Sequence, residues 1–346
     1  MIQGRSYTSN STKLLKHLNK LDIIQKGMGG DENQIPSPVM VHMSPCNPCN
    51  LTCSFCCFAN RSMKEMLTIE QMKSAITQFR NLGATGLEFT GGGEPTLHPK
   101  LDEAVKHAYD IGFKIGVCTN GSRLERIKTW NMFSWVRLGM YGWDEGYTYN
   151  LQVLRDAGVN ISGAYVWDFD TMTSQNPNIT GEWTDNVNRK ISKTDQKEEN
   201  FYKMLEFVER EKIPTRIAFN AIKPAAIVLE NIEFIRNMIK DRKLEYAFLS
   251  DFNYKGTRRN DNCYMHMVKP FVFTDGNVYV CPSSELSPEN HYNMNDQFKL
   301  CSINDITEFY KKGVTRRHHA CKFCKYAMQN ELIDDLVTET QNNEFA

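Results

Sequence analysis

The chain has 346 residues, 41% of them hydrophobic and 24% charged, enough apolar content to bury a sizeable core, so it should be globular. Lys and Arg total 41 against 41 Asp and Glu; no global field gathers nucleic acid or acidic membranes from a distance, and a nucleic-acid substrate is not supported. The first residues lack the apolar core of a signal peptide and no apolar run is long enough to span a bilayer, so the expectation is a cytoplasmic protein without membrane attachment.

Residues 1–38 form an N-terminal extension ahead of the first predicted strand, "VMVHM" at 39–43. A helix over 68–83 closed by Gly83 and a strand at 86–90 follow. The unit then repeats: a helix over 99–112 with Pro near its start and Gly at its end, then the strand "KIGVCT" at 114–119. Further units are "SRLERIKTW" with "SWVRLGM", "YTYNLQVLRDAG" with "VNISGAYVW", "EENFYKMLEFVEREK" with "TRIAFNAI", and "LENIEFIRNMIKDRK" with "LEYAFLS". Strand and helix alternating over 39–251 mean an α/β fold with a parallel sheet and crossover helices, either open and doubly wound or closed into a complete or partial barrel. The polar segment 168–198 reads as a long loop. Beyond 251, "FVFTDGNVYVC" at 271–281 reads as a hairpin turning at Asp275-Gly276, within a small second domain over 252–330, and 331–346 reads as a terminal helix with a frayed tail.

Cytosolic cysteines in clusters are more often metal ligands or catalysts than disulfides, and the odd total of eleven argues the same way. They fall into two groups: Cys46, Cys49, Cys53, Cys56 and Cys57, then Cys263, Cys281, Cys301, Cys321 and Cys324. Cys118 stands apart in an apolar run and reads as a buried structural thiol. The first group follows the first strand directly, and loops leaving the carboxyl ends of parallel strands are where active sites are built. Cys49, Cys53 and Cys56 form C-x3-C-x2-C in one short loop, whereas zinc sites commonly take two pairs well apart. Three thiolates on a four-iron cluster leave one iron open to a substrate or cofactor. Cys53 and Cys57 repeat the first gap, but Asn60 stands where a third ligand would fall, which leaves Cys46 and Cys57 as spares. After the second strand, Gly91, Gly92 and Gly93 let the backbone approach a ligand, and Glu94 can accept a bond from a cationic amine.

"CNLTCSFC", with the aromatic Phe55 just before the third cysteine, resembles the signature of radical S-adenosylmethionine (radical SAM) enzymes, and "TGGGEPTLHP" at 90–99 resembles their glycine-rich motif. The resemblance implies a partial (β/α)6 TIM-like barrel and a [4Fe-4S] cluster on Cys49, Cys53 and Cys56. Its open iron would chelate S-adenosylmethionine, with cofactor contacts from Phe55, Gly91, Gly92, Gly93 and Glu94. Asn120 in "TNG" resembles a family position that faces the cofactor. One departure stands out. Many relatives with an added cluster domain end the fourth strand in Ser-x-Asp and carry an arginine on the fifth, for the ribose hydroxyls and the carboxylate. Here Gly139 occupies the serine place and the fifth strand has no arginine, leaving Ser162 or Arg137 as substitutes.

In the second group, Cys263 and Cys281 bracket Gly276 as C-x12-G-x4-C and "CKFC" follows at 321–324. Spacing alone leaves a four-thiolate zinc site open. The pattern resembles the auxiliary-cluster domains called SPASM and twitch. Five cysteines fit the shorter twitch form, which implies a second [4Fe-4S] cluster on Cys263, Cys281, Cys321 and Cys324, with Cys301 a spare or a competitor.

The resemblance implies reductive cleavage of S-adenosylmethionine to a 5'-deoxyadenosyl radical and hydrogen abstraction from a substrate C–H bond. With the auxiliary cluster as electron acceptor or relay, net oxidation or rearrangement follows: a dehydrogenase-like radical SAM oxidoreductase, reduced by a partner such as flavodoxin or ferredoxin. Family members with such a domain act on aminocyclitols, on sulfatases and on peptides, and one makes a molybdopterin precursor; the last has a different cysteine spacing and a terminal glycine pair, both missing here. Peptide modifiers often begin with a leader-binding domain, and the short stretch before residue 39 favours a small molecule, a sugar, cyclitol or nucleotide derivative, over a peptide. Asp168, Asn220, Lys223 and Asp251, at late strand ends, are candidate substrate contacts with equally good structural readings, and no catalytic residue is assigned. A non-catalytic iron-sulfur or zinc sensor is the rival, but it would need no glycine motif facing a three-cysteine loop. "KKGVTRRHH" at 311–319 is short and reads as a solvated turn rather than a nucleic-acid patch.

Overall fold

The structure, a computed structural model, describes residues 11–53, 55–56, 58, 62–167, 183–184, 190–191, 196–219, 225–250, 262–282, 296–312, 318–319 and 326–338. Seven parallel strands lie side by side in chain order: β1 (Met40–Met43), β2 (Gly86–Phe89), β3 (Lys114–Thr119), β4 (Phe133–Gly139), β5 (Asn160–Trp167), β6 (Thr215–Phe219) and β7 (Ala247–Leu249). Successive strand residues point to opposite faces. One face carries Val41, Met43, Leu87, Phe89, Val117, Leu138, Tyr165 and Ile217 into the hydrophobic core. The positions between them carry His42, Glu88, Cys118, Arg137 and Arg216.

The second face is concave. Glu88 on β2 and Arg216 on β6 act on each other electrostatically, although a flat sheet would hold these strands four spacings apart, about 19 Å. Curling brings them together, which makes the sheet a partial barrel with a charged lumen, in agreement with the α/β barrel expected from the sequence.

Helices cover the apolar face. In α2 (Ile69–Asn81; α1 is Leu18–Met28) the buried Met72, Ala75, Ile76 and Phe79 form one stripe at i, i+3, i+4 and i+7. Each full burial of a large apolar side chain contributes about 1.5–3 kcal/mol. Thr68 starts α2 with a capping box: its hydroxyl accepts from the Gln71 amide (3.2 Å) while its own amide donates to Gln71 Oε1 (2.8 Å). In α3 (Leu101–Asp110) the stripe is Leu101, Ala104, Val105 and Ala108. The next helices are α4 (Leu151–Asp156), α5 (Glu198–Arg210) and α6 (Ala225–Asp241).

"SRLERIKTW" departs from the expected helix and forms two short 3-10 turns, Leu124–Arg126 and Trp130–Met132. Asp102 of α3 takes the backbone amides of Lys128 and Thr129, and Trp130 Nε1 donates to Leu124 O (2.8 Å), bonds that hold the segment as a loop. Of the segment 168–198, the described parts are the pair Trp183–Thr184 with Lys190–Ile191 and the residues from 196 onward.

The C-terminal part extends the same sheet. Strand β8 (Phe271–Val272) runs parallel to β1, and β9 (Asn277–Tyr279) and β10 (Lys299–Ser302) follow antiparallel, with the hairpin turning at Gly276 (φ 78°). Gln78 of α2 fastens this extension, donating to Ile303 O (2.7 Å) and accepting from the amide of Thr307 in α7 (Ile306–Lys311). The final helix, α8 (Ala327–Val337), starts before the expected position at 331 and packs against α1. No helix among the described residues is long and apolar enough to cross a membrane.

Lys20 of α1 ties the N-terminal segment down, its Nζ donating to Ser37 Oγ (2.8 Å) and to Leu82 O (2.9 Å) at the end of α2. Burial pushes its pKa down to about 8. Between about pH 8 and the ordinary lysine value of 10.5 the unfolded chain binds the proton that the folded chain has lost, so this group makes the fold more stable as pH rises through that window. Urea unfolding of wild type and Lys20→Met at pH 7.5 and pH 9.5 should show a smaller alkaline gain, or a larger alkaline loss, in the variant; identical pH dependence would contradict this.

Candidate functional site

The cysteine loop leaves β1 at Ser44 and is held from two sides. On the first, the glycine turn after β2 is sewn to it: Ser44 Oγ donates to Gly91 O (2.5 Å), the Gly93 amide to Cys46 O (2.8 Å) and the Glu94 amide to Pro48 O (2.9 Å). The glycines make this approach possible. Gly91 and Gly92 have φ of 53° and 76°, where side chains are strained. A Cβ on Gly92 would lie 2.2 Å from Ser44 Oγ, and one on Gly93 2.1 Å from Pro48 O. The space a side chain would need at these two positions is therefore taken by the cysteine loop itself.

On the second side stands the turn after β3. The Asn120 side chain donates to Asn50 Oδ1 (2.9 Å), Asn50 Nδ2 donates to Ser122 Oγ (2.8 Å), and Ser122 donates back to Asn120 Oδ1 from both its amide and its hydroxyl. Asn50 lies between Cys49 and Cys53, so this three-residue network grips the cysteine-bearing part of the loop.

Glu94 joins the two sides. It is almost fully buried; Oε1 accepts from the Thr96 amide (3.0 Å), the Thr96 hydroxyl (2.8 Å) and the Thr119 hydroxyl (2.6 Å), and Oε2 accepts from the Asn120 amide (2.7 Å). Burial pushes its pKa above the usual carboxylate value while these bonds pull it back. All four are donors suited to the ionised form, so the carboxylate engages the protein's own frame.

Cys49, Cys53 and Cys56 share the loop. Burial first, then the nearby Cys56, Glu145 and Cys49 charges, hold the Cys53 thiol well above its ordinary pKa. A thiol held protonated in this way loses its proton when it becomes a metal ligand. Among the described residues no three His, Cys, Asp or Glu side chains close on one point suited to a single ion. The Phe55 ring packs on Tyr141 (centroids 4.8 Å), and Tyr141 on Tyr165 (5.6 Å). Tyr147 Oη donates to Asn120 O (2.6 Å). Cys46 lies off this set, buried, its Sγ donating to Glu94 O (3.2 Å).

Comparison with known proteins bears on the same stretch: a family model described as Radical SAM superfamily matches residues 43–162. Residues 43–162 are a radical SAM domain. The cofactors of this family are a [4Fe-4S] cluster and S-adenosylmethionine. The chain is similar to an S-adenosylmethionine-dependent nucleotide dehydratase of Selenomonas ruminantium, 39% identical over 74 residues that cover 21% of this chain and 27% of that protein. It is also similar to a PqqA peptide cyclase of Bradyrhizobium diazoefficiens, 34% identical over 92 residues, 26% of this chain and 24% of that one. These matches thus span about a quarter of the relatives' length. Among solved structures, Streptococcus suis SuiB bound to precursor peptide SuiA has the same fold, with a TM-score of 0.52 and 14% identity, covering 97% of this chain and 74% of that chain. Cys49, Cys53 and Cys56 on one loop are the soft donors such a cluster takes, and the loop is anchored at Asn50 by the protein's own hydrogen bonds.

Elsewhere, Ser162 Oγ donates to the backbone of Val136 (3.3 Å), whereas Arg137 faces the lumen, stacked on Trp135 at 5.1 Å. Gly139 leaves room for Tyr141, whose ring a Cβ there would meet at 2.8 Å. Cys118, expected as a lone structural thiol, donates to Glu88 Oε1 (3.2 Å), and burial followed by the Glu88 charge pushes it up to about 11. Cys263 and Cys281 are buried in the C-terminal part. Cys57, Cys321, Cys324, Asp168, Asn220, Lys223 and Asp251 lie outside the described residues. Sequence reasoning did not pick out Asn50, Ser122, Tyr141 and Tyr147 as parts of the site; its available signal was their position just after cysteines or strand ends.

Gly93→Ala should force the cysteine loop away from the glycine turn, an overpacking cost of about 1–3 kcal/mol. Iron analysis after anaerobic reconstitution should then find the first cluster's iron reduced, with a lowered unfolding temperature. Wild-type iron content and stability would contradict the docking role.

Proposed function

We propose that this chain is a radical SAM enzyme in which Cys49, Cys53 and Cys56 hold the [4Fe-4S] cluster and the glycine turn, Asn120 and Phe55 border the S-adenosylmethionine. When bound, these cofactors supply a 5'-deoxyadenosyl radical that takes a hydrogen atom from a substrate C–H bond. The observation that carries the reading is the cysteine loop clamped between the turns after β2 and β3. The chain's own residues fix the loop through Ser44, Asn50 and Asn120, and cover it with the Phe55–Tyr141 aromatic pair.

A second cluster on Cys263, Cys281, Cys321 and Cys324 belongs to the same proposal. Asn262–Cys263 pairs antiparallel with His318–His319, Cys263 opposite His318, and the CKFC motif follows in the sequence. Cys301 is assigned a structural role. Burial first and then the Asp305 charge push its thiol up to about 12, which keeps it protonated, and it lies on β10 opposite Val278 of β9. A cluster held there would supply an electron acceptor or relay, which suits net oxidation or rearrangement of the substrate. A small-molecule substrate is favoured over a peptide by the charged lumen described above; the PqqA peptide cyclase match keeps a peptide-modifying activity as the second reading.

Anaerobically reconstituted protein should carry about eight irons per chain, the content of two four-iron clusters. Replacing Cys49, Cys53 and Cys56 with Ala should remove about half of it and abolish dithionite-driven formation of 5'-deoxyadenosine. Stoichiometric zinc beside about four irons would contradict the second cluster and leave the first standing.

A further inference from the structure

We propose that the C-terminal hairpin of β8 and β9 is a positioning element for the cysteine loop, with Phe273 its central contact, so that the first cluster site is completed by the part of the chain that carries the second cysteine group. This rests on the reading of Cys49, Cys53 and Cys56 as ligands of a [4Fe-4S] cluster. It adds a third support to the two turns that grip their loop.

The backbone brings the hairpin to the loop. β8 lies beside β1 with Phe271 opposite His42 and Val272 opposite Met43, and the amide of Ser44, where the loop leaves β1, donates to Val272 O (2.9 Å). The loop also returns along itself: the Asn47 amide donates to Glu65 O (2.9 Å), the Leu67 amide donates to Pro45 O (2.9 Å), and Cys46 forms a β-bridge with Met66. Its outgoing and returning halves therefore lie side by side, and the outgoing half starts against β8.

Side chains close the contact. Phe58, two residues after Cys56, stacks on Phe273 (centroids 6.0 Å, planes 18° apart) and packs on Phe271 (6.1 Å), while Phe271 packs on Phe273 (5.6 Å). Phe271 and Phe273 are both buried. The glycine turn meets the same rings: a Cβ on Gly91 would lie 3.1 Å from Phe58 and 3.5 Å from Phe271. Glu65 adds a polar tie, its Oε2 accepting from Asn47 Nδ2 (3.2 Å) and from Thr274 Oγ1 (3.4 Å). Glu65 is exposed, where water competes for such bonds, so the ring cluster carries the contact and Glu65 sets its direction.

The hairpin leads on to the second cysteine group. Tyr279 of β9 stands edge-on to Phe273 (6.4 Å), and Cys281 follows two residues later. A run of packed rings from Phe58 through Phe273 to Tyr279 thus joins the segment that bears Cys56 to the strand that leads to Cys281. Binding a metal cluster is coupled to ordering the residues that hold it. If the hairpin orders the loop, loading the loop must tighten the hairpin by the same free energy. A chain whose hairpin is unseated then holds no first cluster and makes no radical.

The full-length chain carrying Cys321→Ala and Cys324→Ala isolates the first site. Anaerobic reconstitution should give it about four irons. Phe273→Ala in that background should lose most of them, and Phe273→Leu, which keeps an apolar side chain there, should recover them. Phe58→Ala tests the same contact from the loop side should the unfolding temperature show that Phe273→Ala does not fold. Hydrogen exchange needs none of these variants: the amides of Phe273, bonded to Asn277 O (2.9 Å), and of Gly276, bonded to Phe273 O (3.2 Å), should exchange more slowly in reconstituted wild type than in reconstituted protein with Cys49, Cys53 and Cys56 replaced by Ala. A hairpin that merely covers the loop would exchange alike in both. Full iron in a folded Phe273→Ala or Phe58→Ala chain, or hairpin exchange that ignores the first cluster, overturns the proposal. Wild type that takes up no iron and forms no 5'-deoxyadenosine with dithionite overturns the cluster reading instead; wild type that does both while the hairpin measurements fail overturns this proposal alone.

Discussion

The buried carboxylate of Glu94 is the interaction on which the site depends. Taking an isolated carboxylate out of water costs several kcal/mol, and the cost is offset only when its lone pairs are met. Here four donors from two separate turns meet them: the amide and hydroxyl of Thr96, the hydroxyl of Thr119 and the amide of Asn120. The glycine turn after β2 and the turn after β3 are thereby locked to each other at one end of the sheet. The two turns that grip the cysteine loop hang from that lock.

From it the geometry of the loop follows. The glycine turn receives the first half of the loop through Gly93 and Glu94 amides, and the β3 turn grips Asn50 through Asn120. Between these anchors the loop carries Cys49, Cys53 and Cys56, thiols of the soft kind that iron-sulfur clusters take. Below the rim the same strands curl around a lumen whose charges come from alternate residues of β1 to β6, while the intervening residues pack against the helices. One strand therefore serves the core with one set of side chains and the chemistry with the other.

The parts of this legible in the sequence were those encoded locally. C-x3-C-x2-C needs only neighbours along the chain, and the stripe in α2 and the alternation in β3 are periodic signals within a single element. What was not legible depends on closure. Glu94 reads as a free acceptor for an amine until the fold brings Thr119 and Asn120 to it. Gly92 and Gly93 read as letting the backbone approach a ligand, and only the fold shows that the side-chain positions there face Ser44 and Pro48 of the cysteine loop. "SRLERIKTW" has a helical pattern, yet Asp102 from α3 competes for its amides and keeps it a loop.

The central claim is that the clamped loop presents three thiolates to a four-iron cluster and leaves one iron for S-adenosylmethionine. Mössbauer spectroscopy of protein reconstituted with iron-57 measures this directly, and a variant lacking Cys321 and Cys324 isolates the first cluster. Adding S-adenosylmethionine should shift the parameters of about one iron in four and leave the others unchanged. A spectrum that does not respond, or one in which every iron is equally affected, would contradict the account.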